Sequence, residues 1–115
     1  MKITDRRPLP RTGLALPVFG LGCAQVGGLF QPMSEQDAAA LFDSAWELGV
    51  RLFDTAPYYG YTRSEWRTGA ALSLRPRADY LLSTKVGRLM RPDDSVRPGD
   101  DGWADPLPLR PQFDY

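Results

Sequence analysis

The chain has 115 residues, with 14 basic and 14 acidic side chains, 43% hydrophobic residues, one cysteine and no histidine. That length allows one small domain or a portion of a larger one, and the apolar fraction is high enough for a core. A lone cysteine and no histidine exclude an internal disulfide, a Ser-His-Asp triad, a Cys-His pair and any cysteine-rich or histidine metal site within the chain. The even charge balance argues against a nucleic-acid partner.

No apolar run reaches the roughly 18 residues of a transmembrane helix, so no membrane partner is expected. Lys2, Arg6, Arg7 and Arg11 precede an apolar stretch and loosely imitate a secretory signal. Asp5, Pro8, Pro10 and Pro17 spoil the imitation, and a cytoplasmic protein is expected.

Residues 1–17 read as irregular or as a short hairpin, with Leu14, Leu16 and Val18 alternating against Ala15 and Pro17. Val18–Ala24 reads as a short buried strand whose neighbours approach closely at Gly20 and Gly22. Gly27, Gly28 and Pro32 then mark a loop. Ser34 opens the clearest helix, over 35–48. It is an N-cap with Asp37 three residues on, and Glu35 and Asp37 suit the positive end of the helix dipole. Ala38, Leu41, Phe42, Ala45 and Leu48 share one face, and Gly49 is the stop.

Val50–Ala56 reads as a second strand ending in the polar pair Asp54-Thr55. A loop with Pro57, Tyr58, Tyr59 and Gly60 follows. Ser64 and Glu65 start a second helix running to about Leu74, in which Gly69 is expected to serve close packing. Tyr80–Val86 reads as a third strand. Trp46 and Trp66 are expected to be packing residues on the helices.

Strand, helix, strand, helix, strand is the pattern of parallel strands joined by right-handed crossovers. The fold class is therefore α/β, with two βαβ units over 18–87 that share their middle strand. Residues 88–115 carry five of the eleven prolines and six aspartates, with no period. They read as a loop or a tail. Trp103, within that segment, is open between a substrate-loop aromatic and a tail residue.

Reactive groups in a parallel α/β protein collect beyond the carboxyl ends of the strands. Asp54 and Lys85 stand there on the second and third strands, and Tyr59 lies just after the second. An aspartate can hold a lysine ammonium, and the ammonium can favour a phenolate. A phenol so tuned can give a proton to a carbonyl oxygen or take one from an alcohol. Each residue also has a structural alternative: Asp54 as a cap, Lys85 as a solvated charge, Tyr59 as packing. Cys23 reads as a small buried apolar residue, since no histidine can activate it. Gly20, Gly22, Gly27 and Gly28 do not match G-x-G-x-x-G, which argues against a Rossmann domain.

Four motifs in order resemble the aldo-keto reductase family: GLGCAQVGGLF over 20–30, ELGVRLFDTAPYYG over 47–60, RSEWRTGAAL over 63–72 and STKVGR over 83–88. Residues 8–90 are similar to the first third of that family's (β/α)8 TIM barrel. The STKVGRL run and the terminal Phe113-Asp114-Tyr115 look most like its branch of aldose, L-fucose and D-threo-aldose dehydrogenases. The resemblance implies a catalytic Asp54, Tyr59 and Lys85, with Tyr59 as proton donor, and NAD or NADP as cofactor. It implies cofactor contact at Gly22, Cys23 and Asp54, and no metal. The implied substrate is a small-molecule carbonyl or sugar, interconverted with its alcohol or lactone.

The family's fourth catalytic residue is a histidine at the end of a fourth strand. This chain has no histidine and supplies three of eight strands. Thr68 also stands where the family usually has an aliphatic residue. The expectation is marginal stability, an inactive isolated chain and self-association through open barrel edges. The alternative is a non-catalytic barrel fragment that acts as an assembly partner.

Overall fold

The computed structural model describes residues 1–113. The Asp114 and Tyr115 of the terminal motif lie outside the described residues.

β1 (Arg6–Leu9) and β2 (Leu14–Pro17) form an antiparallel hairpin, with Leu9 opposite Leu14. β3 (Leu21–Gly22), β4 (Leu52–Asp54) and β5 (Leu81–Ser83) form a parallel sheet in that order. α1 (Glu35–Glu47) and α2 (Arg63–Leu72) are the crossovers. This is the expected βαβαβ core.

The capping reading of α1 holds in detail. The Ser34 hydroxyl accepts from the Asp37 backbone N–H at 3.0 Å and donates to Asp37 Oδ2 at 2.8 Å. α2 begins one residue earlier than expected, at Arg63. Its cap, Thr62, has φ +77°, beside Tyr61 at φ +52°. Two successive non-glycine residues in this region are uncommon, and a β-branched one is an outlier. Surrounding contacts hold them. Tyr61 is fully buried and its Oη donates to Asp101 Oδ2 at 2.6 Å.

The core lies between the sheet and the two helices. Cys23, Val26, Ala38, Phe42, Ala45, Val50, Phe53, Leu72 and Tyr80 form it. Phe53 touches Phe42 and Tyr80 with ring centroids 5.9 and 6.4 Å apart. Among the described residues, no helix is long and apolar enough to cross a membrane.

Several expectations change. Leu48, placed on the apolar face of α1, is 70% exposed, and Phe19, placed in a buried strand, is 55% exposed, because no element lies over either. The three parallel strands are two or three residues long rather than seven, because a ladder forms only where a neighbour runs alongside. Residues 88–113 are not a structureless tail. β6 (Arg88–Pro92) and β7 (Leu109–Phe113) pair antiparallel, Arg88 opposite Phe113 and Pro92 opposite Leu109. The turn signals in this segment lie between two strands too short and too rich in proline to show alternation. Gly69 serves no close packing, since a Cβ there would meet nothing within 4 Å. Trp66 is 74% exposed, whereas Trp46 packs edge-on against Tyr80 under the Arg51 guanidinium.

With two hairpins projecting from the three-stranded core, the radius of gyration is 15.2 Å. A compact globule of this length has about 13 Å.

Candidate active site

The parallel register aligns Gly22, Asp54 and Ser83 at the carboxyl ends of the three strands. Lys85 is two residues beyond Ser83, so both side chains project from the same side of the chain. Lys85 Nζ donates to Asp54 Oδ2 at 2.7 Å and to the Thr55 carbonyl at 2.9 Å. Ser83 Oγ donates to Asp54 Oδ1 at 2.8 Å. Both oxygens of Asp54 are thus engaged, and the carboxylate is fixed in plane and direction.

Lys85 spends two of its three N–H donors on this arrangement. Its ammonium lies 4.8 Å from the centre of the Tyr59 ring. Asp54, Tyr59 and Lys85 therefore lie together at the carboxyl ends of the strands.

The electrostatics follow the geometry. Partial desolvation pulls the Lys85 ammonium down, but the Asp54 carboxylate and the Tyr59 hydroxyl outweigh it and hold the amine above its ordinary value. Desolvation acts upward on Asp54, and the Lys85 and Ser83 hydrogen bonds overcome it, so the carboxyl lies below its ordinary value. The pair is charged across the neutral range. Its side chains are 47% and 43% exposed, so solvent screens the attraction between them.

Two loops meet beneath Tyr59. A Cβ on Gly27 would lie 2.7 Å from the Tyr59 carbonyl carbon, and one on Gly60 would overlap the Gly27 carbonyl oxygen. Gly60 also has φ +63°. Only glycine serves at this crossing, which sets where Tyr59 stands.

The first loop is held by α2. Ser64 Oγ donates to the Cys23 carbonyl at 2.7 Å and lies 2.8 Å from Thr55 Oγ1. Arg67, 6% exposed, donates to the Val26 carbonyl at 2.7 Å, the Met33 carbonyl at 2.7 Å and Glu35 Oε1 at 2.6 Å.

Trp103 resolves as a site-adjacent residue. It is 2% exposed, with its ring centroid 5.7 Å from those of both Tyr58 and Tyr59. Its segment is tied to the loops below by Phe30 N–H to the Gly102 carbonyl at 2.7 Å and Ala104 N–H to the Gly28 carbonyl at 2.9 Å.

Cys23 is corrected. Its side chain is fully buried, and burial pushes its thiol up to about 11. Its N–H donates to the Asp54 carbonyl at 2.9 Å and its carbonyl accepts from Ser64. The Cys23 side chain is therefore turned away from the strand ends, and any contact the residue makes there is through its backbone. The close approach expected at Gly20 and Gly22 occurs only at Gly20, where a Cβ would lie 3.1 Å from Leu52; Gly22 is exposed at the end of its strand, and a Cβ there would meet nothing within 4 Å. A bare backbone beside Asp54 at the strand ends fits a flat ring laid against it. Thr68, expected to cost a little packing, is buried at 1% exposure with its side chain beside the Cys23 thiol.

Ser83, Ser64, Arg67 and Glu35 were not read from the sequence as supports of the site. Ser83 was within reach, because the two-residue period of a strand puts it on the same side as Lys85. The Arg67 clamp spans 32 to 41 residues and leaves no local signal.

A family model described as the aldo/keto reductase family matches residues 18–105. The chain is 44% identical to D-threo-aldose 1-dehydrogenase of Pseudomonas sp over 107 residues, covering 90% of this chain and 32% of that protein. It is 43% identical to pyridoxal 4-dehydrogenase of Microbacterium luteolum over 124 residues, covering 100% of this chain and 36% of that protein. Among solved structures, the holo form of aldo-keto reductase AKR11C1 from Bacillus halodurans superimposes with a TM-score of 0.67 at 32% identity. That match covers 89% of this chain and 30% of the other. The chain thus spans about a third of the length of the relatives it matches.

Proposed function

This chain belongs to the aldo/keto reductase family, and from that premise we propose that it carries the proton-transfer half of a nicotinamide-dependent oxidoreductase site. The substrate class is a small-molecule aldehyde or sugar carbonyl, interconverted with its alcohol or lactone. The carrying observation is the arrangement of Lys85 between Asp54, at 2.7 Å, and the Tyr59 ring, at 4.8 Å.

NAD or NADP, when bound, supplies or accepts the hydride. Gly22 and Asp54 are the residues of this chain that would lie against the nicotinamide end. In the reducing direction, Tyr59 Oη donates its proton to the carbonyl oxygen as negative charge develops there. The Lys85 ammonium stabilises the phenolate left behind. Asp54 holds Lys85 charged and aimed, and Ser83 holds Asp54. In the oxidising direction the phenolate takes the proton from the alcohol. This is general acid–base chemistry that needs no histidine from within the chain.

The names of the relatives, an aldose dehydrogenase and a pyridoxal dehydrogenase, support the carbonyl and sugar class without choosing within it.

The test is Tyr59→Phe in the native-length gene product, identified by its mass. Turnover should fall by about 100-fold or more, the lower end of general acid–base contributions, while dinucleotide binding changes little. Surviving turnover would remove Tyr59 from its role.

A second reading, a non-catalytic assembly partner, draws on Leu82 of β5, which is 45% exposed. A native product of 12.8 kDa that assembles with concentration and shows no turnover would favour it.

A further inference from the structure

Gly87, at φ +98°, turns the chain two residues after Lys85 and delivers Arg88 at the start of β6. The Arg88 guanidinium carbon lies 4.1 Å from the centre of the Tyr58 ring and 5.4 Å from that of Phe113. Such stacking orients a guanidinium without using its N–H donors, which lie in its plane.

Most of the other arginines are committed, Arg7, Arg11 and Arg91 being the exceptions among the described residues, and none of these three lines the recess beside Lys85. Arg63, Arg67, Arg75 and Arg110 pair with carboxylates. Arg51, Arg77 and Arg97 donate to backbone carbonyls. Arg88, among the described residues, has neither a carboxylate nor a carbonyl partner, so its fork is held in place and unspent.

Arg88 also shares a recess with the catalytic lysine. Pro57, Tyr58, Lys85, Val86 and Arg88 line a cavity of 290 Å³. The charge of Lys85 is already matched by Asp54 at 2.7 Å, which leaves Arg88 as the cation of the recess with no carboxylate partner among the described residues. A planar, oriented, unpaired fork suits a carboxylate or phosphate, which it can grip with two parallel hydrogen bonds.

We propose that Arg88 is a substrate-anchoring residue that recognises an oxyanion, carboxylate or phosphate, carried by the carbonyl substrate. The inference rests on the oxidoreductase reading and adds a substrate class to it. A carbonyl placed at Tyr59 and Lys85 would extend its charged end along the recess to Arg88.

The test compares 4-formylbenzoate with its neutral methyl ester as substrates of the native-length product. Arg88→Gln should raise the ratio of KM for the acid to KM for the ester about tenfold, the size of one exposed charge-assisted contact. Arg88→Lys, which keeps the charge and loses the fork, should restore part of that ratio. An unchanged ratio overturns the proposal. Equal losses on both aldehydes with weakened dinucleotide binding also overturn it, and assign the oxyanion to a phosphate of the cofactor.

A binding readout separates this inference from the reaction itself. In protein labelled with nitrogen-15 arginine, the Nε–Hε resonance of Arg88 should shift on titration with 4-formylbenzoate and stay in place with the ester. This measurement needs no substitution and no turnover. If no aldehyde is turned over by the unsubstituted protein, the oxidoreductase reading fails while the resonance still decides the anion site. No shift up to the solubility limit of the acid overturns the anchoring role.

Discussion

β4 and β5 are neighbours in one sheet, yet they live in different environments. Phe53 of β4 is fully buried, and its register partner on β5, Leu82, is 45% exposed. Register partners point to the same face of a sheet. The layer made by α1 and α2 covers Phe53 and stops short of Leu82. The difference is one of coverage: the same kind of apolar side chain stabilises where a helix lies over it and offers an adhesive surface where none does.

The largest expected effect is at the glycine crossing inside the closed half. Gly60→Ala forces a Cβ onto the Gly27 carbonyl at a positive φ, with no flexible group to yield. The expected outcome is loss of the cooperative thermal transition, and a normal melt would show that the crossing adapts.

Next is the matched pair that defines the contrast. Phe53→Ala should cost about 3–5 kcal/mol in denaturant unfolding, as for buried aromatics in general. Leu82→Ala should cost under about 1 kcal/mol, since much of that side chain is already wet, and it should lower self-association seen by sedimentation. Equal costs would mean that β5 is covered in solution.

Arg67→Met removes a buried cation that satisfies two carbonyls and Glu35. A loss of about 3 kcal/mol is expected, because the carbonyls of Val26 and Met33 are left unpaired. The acid range should respond less. Asp54 is held below its ordinary value, so its contribution is present above the unfolded carboxyl range and is lost as pH falls through the lowered folded value. Lys85 is held above its ordinary value, so its contribution is present below the unfolded amine value and is lost as pH rises through the raised folded value. A stability profile flat through the neutral range, sloping in acid through Asp54 and in base first through the raised Cys23 thiol and then through Lys85, is the expected result. Asp54→Asn should flatten the acidic slope in part.

The order of strands and helices was legible because each element carries its own period. The bounds of α1 were read almost to the residue from Ser34 and Gly49, while Leu48 of its expected apolar face lies exposed. Asp54, Tyr59 and Lys85 were legible as motif residues at strand ends. β6 and β7 were not, because their pairing partners lie across a proline-rich span and their strands show no alternation. Arg67 was not, because its partners are the carbonyls of a distant loop, and a carbonyl has no residue identity in a sequence.

The sequence by itself determined the local elements and the chemical groups at the ends of the strands, since periodicity, caps and turn residues act over a few positions. The tertiary structure decided what those groups meet. It brought Lys85 to Asp54, set Trp103 against Tyr58 and Tyr59, turned Cys23 inward, and left Leu82 and Arg88 facing outward. Those outcomes depend on chain segments tens of residues apart, which only the folded packing joins.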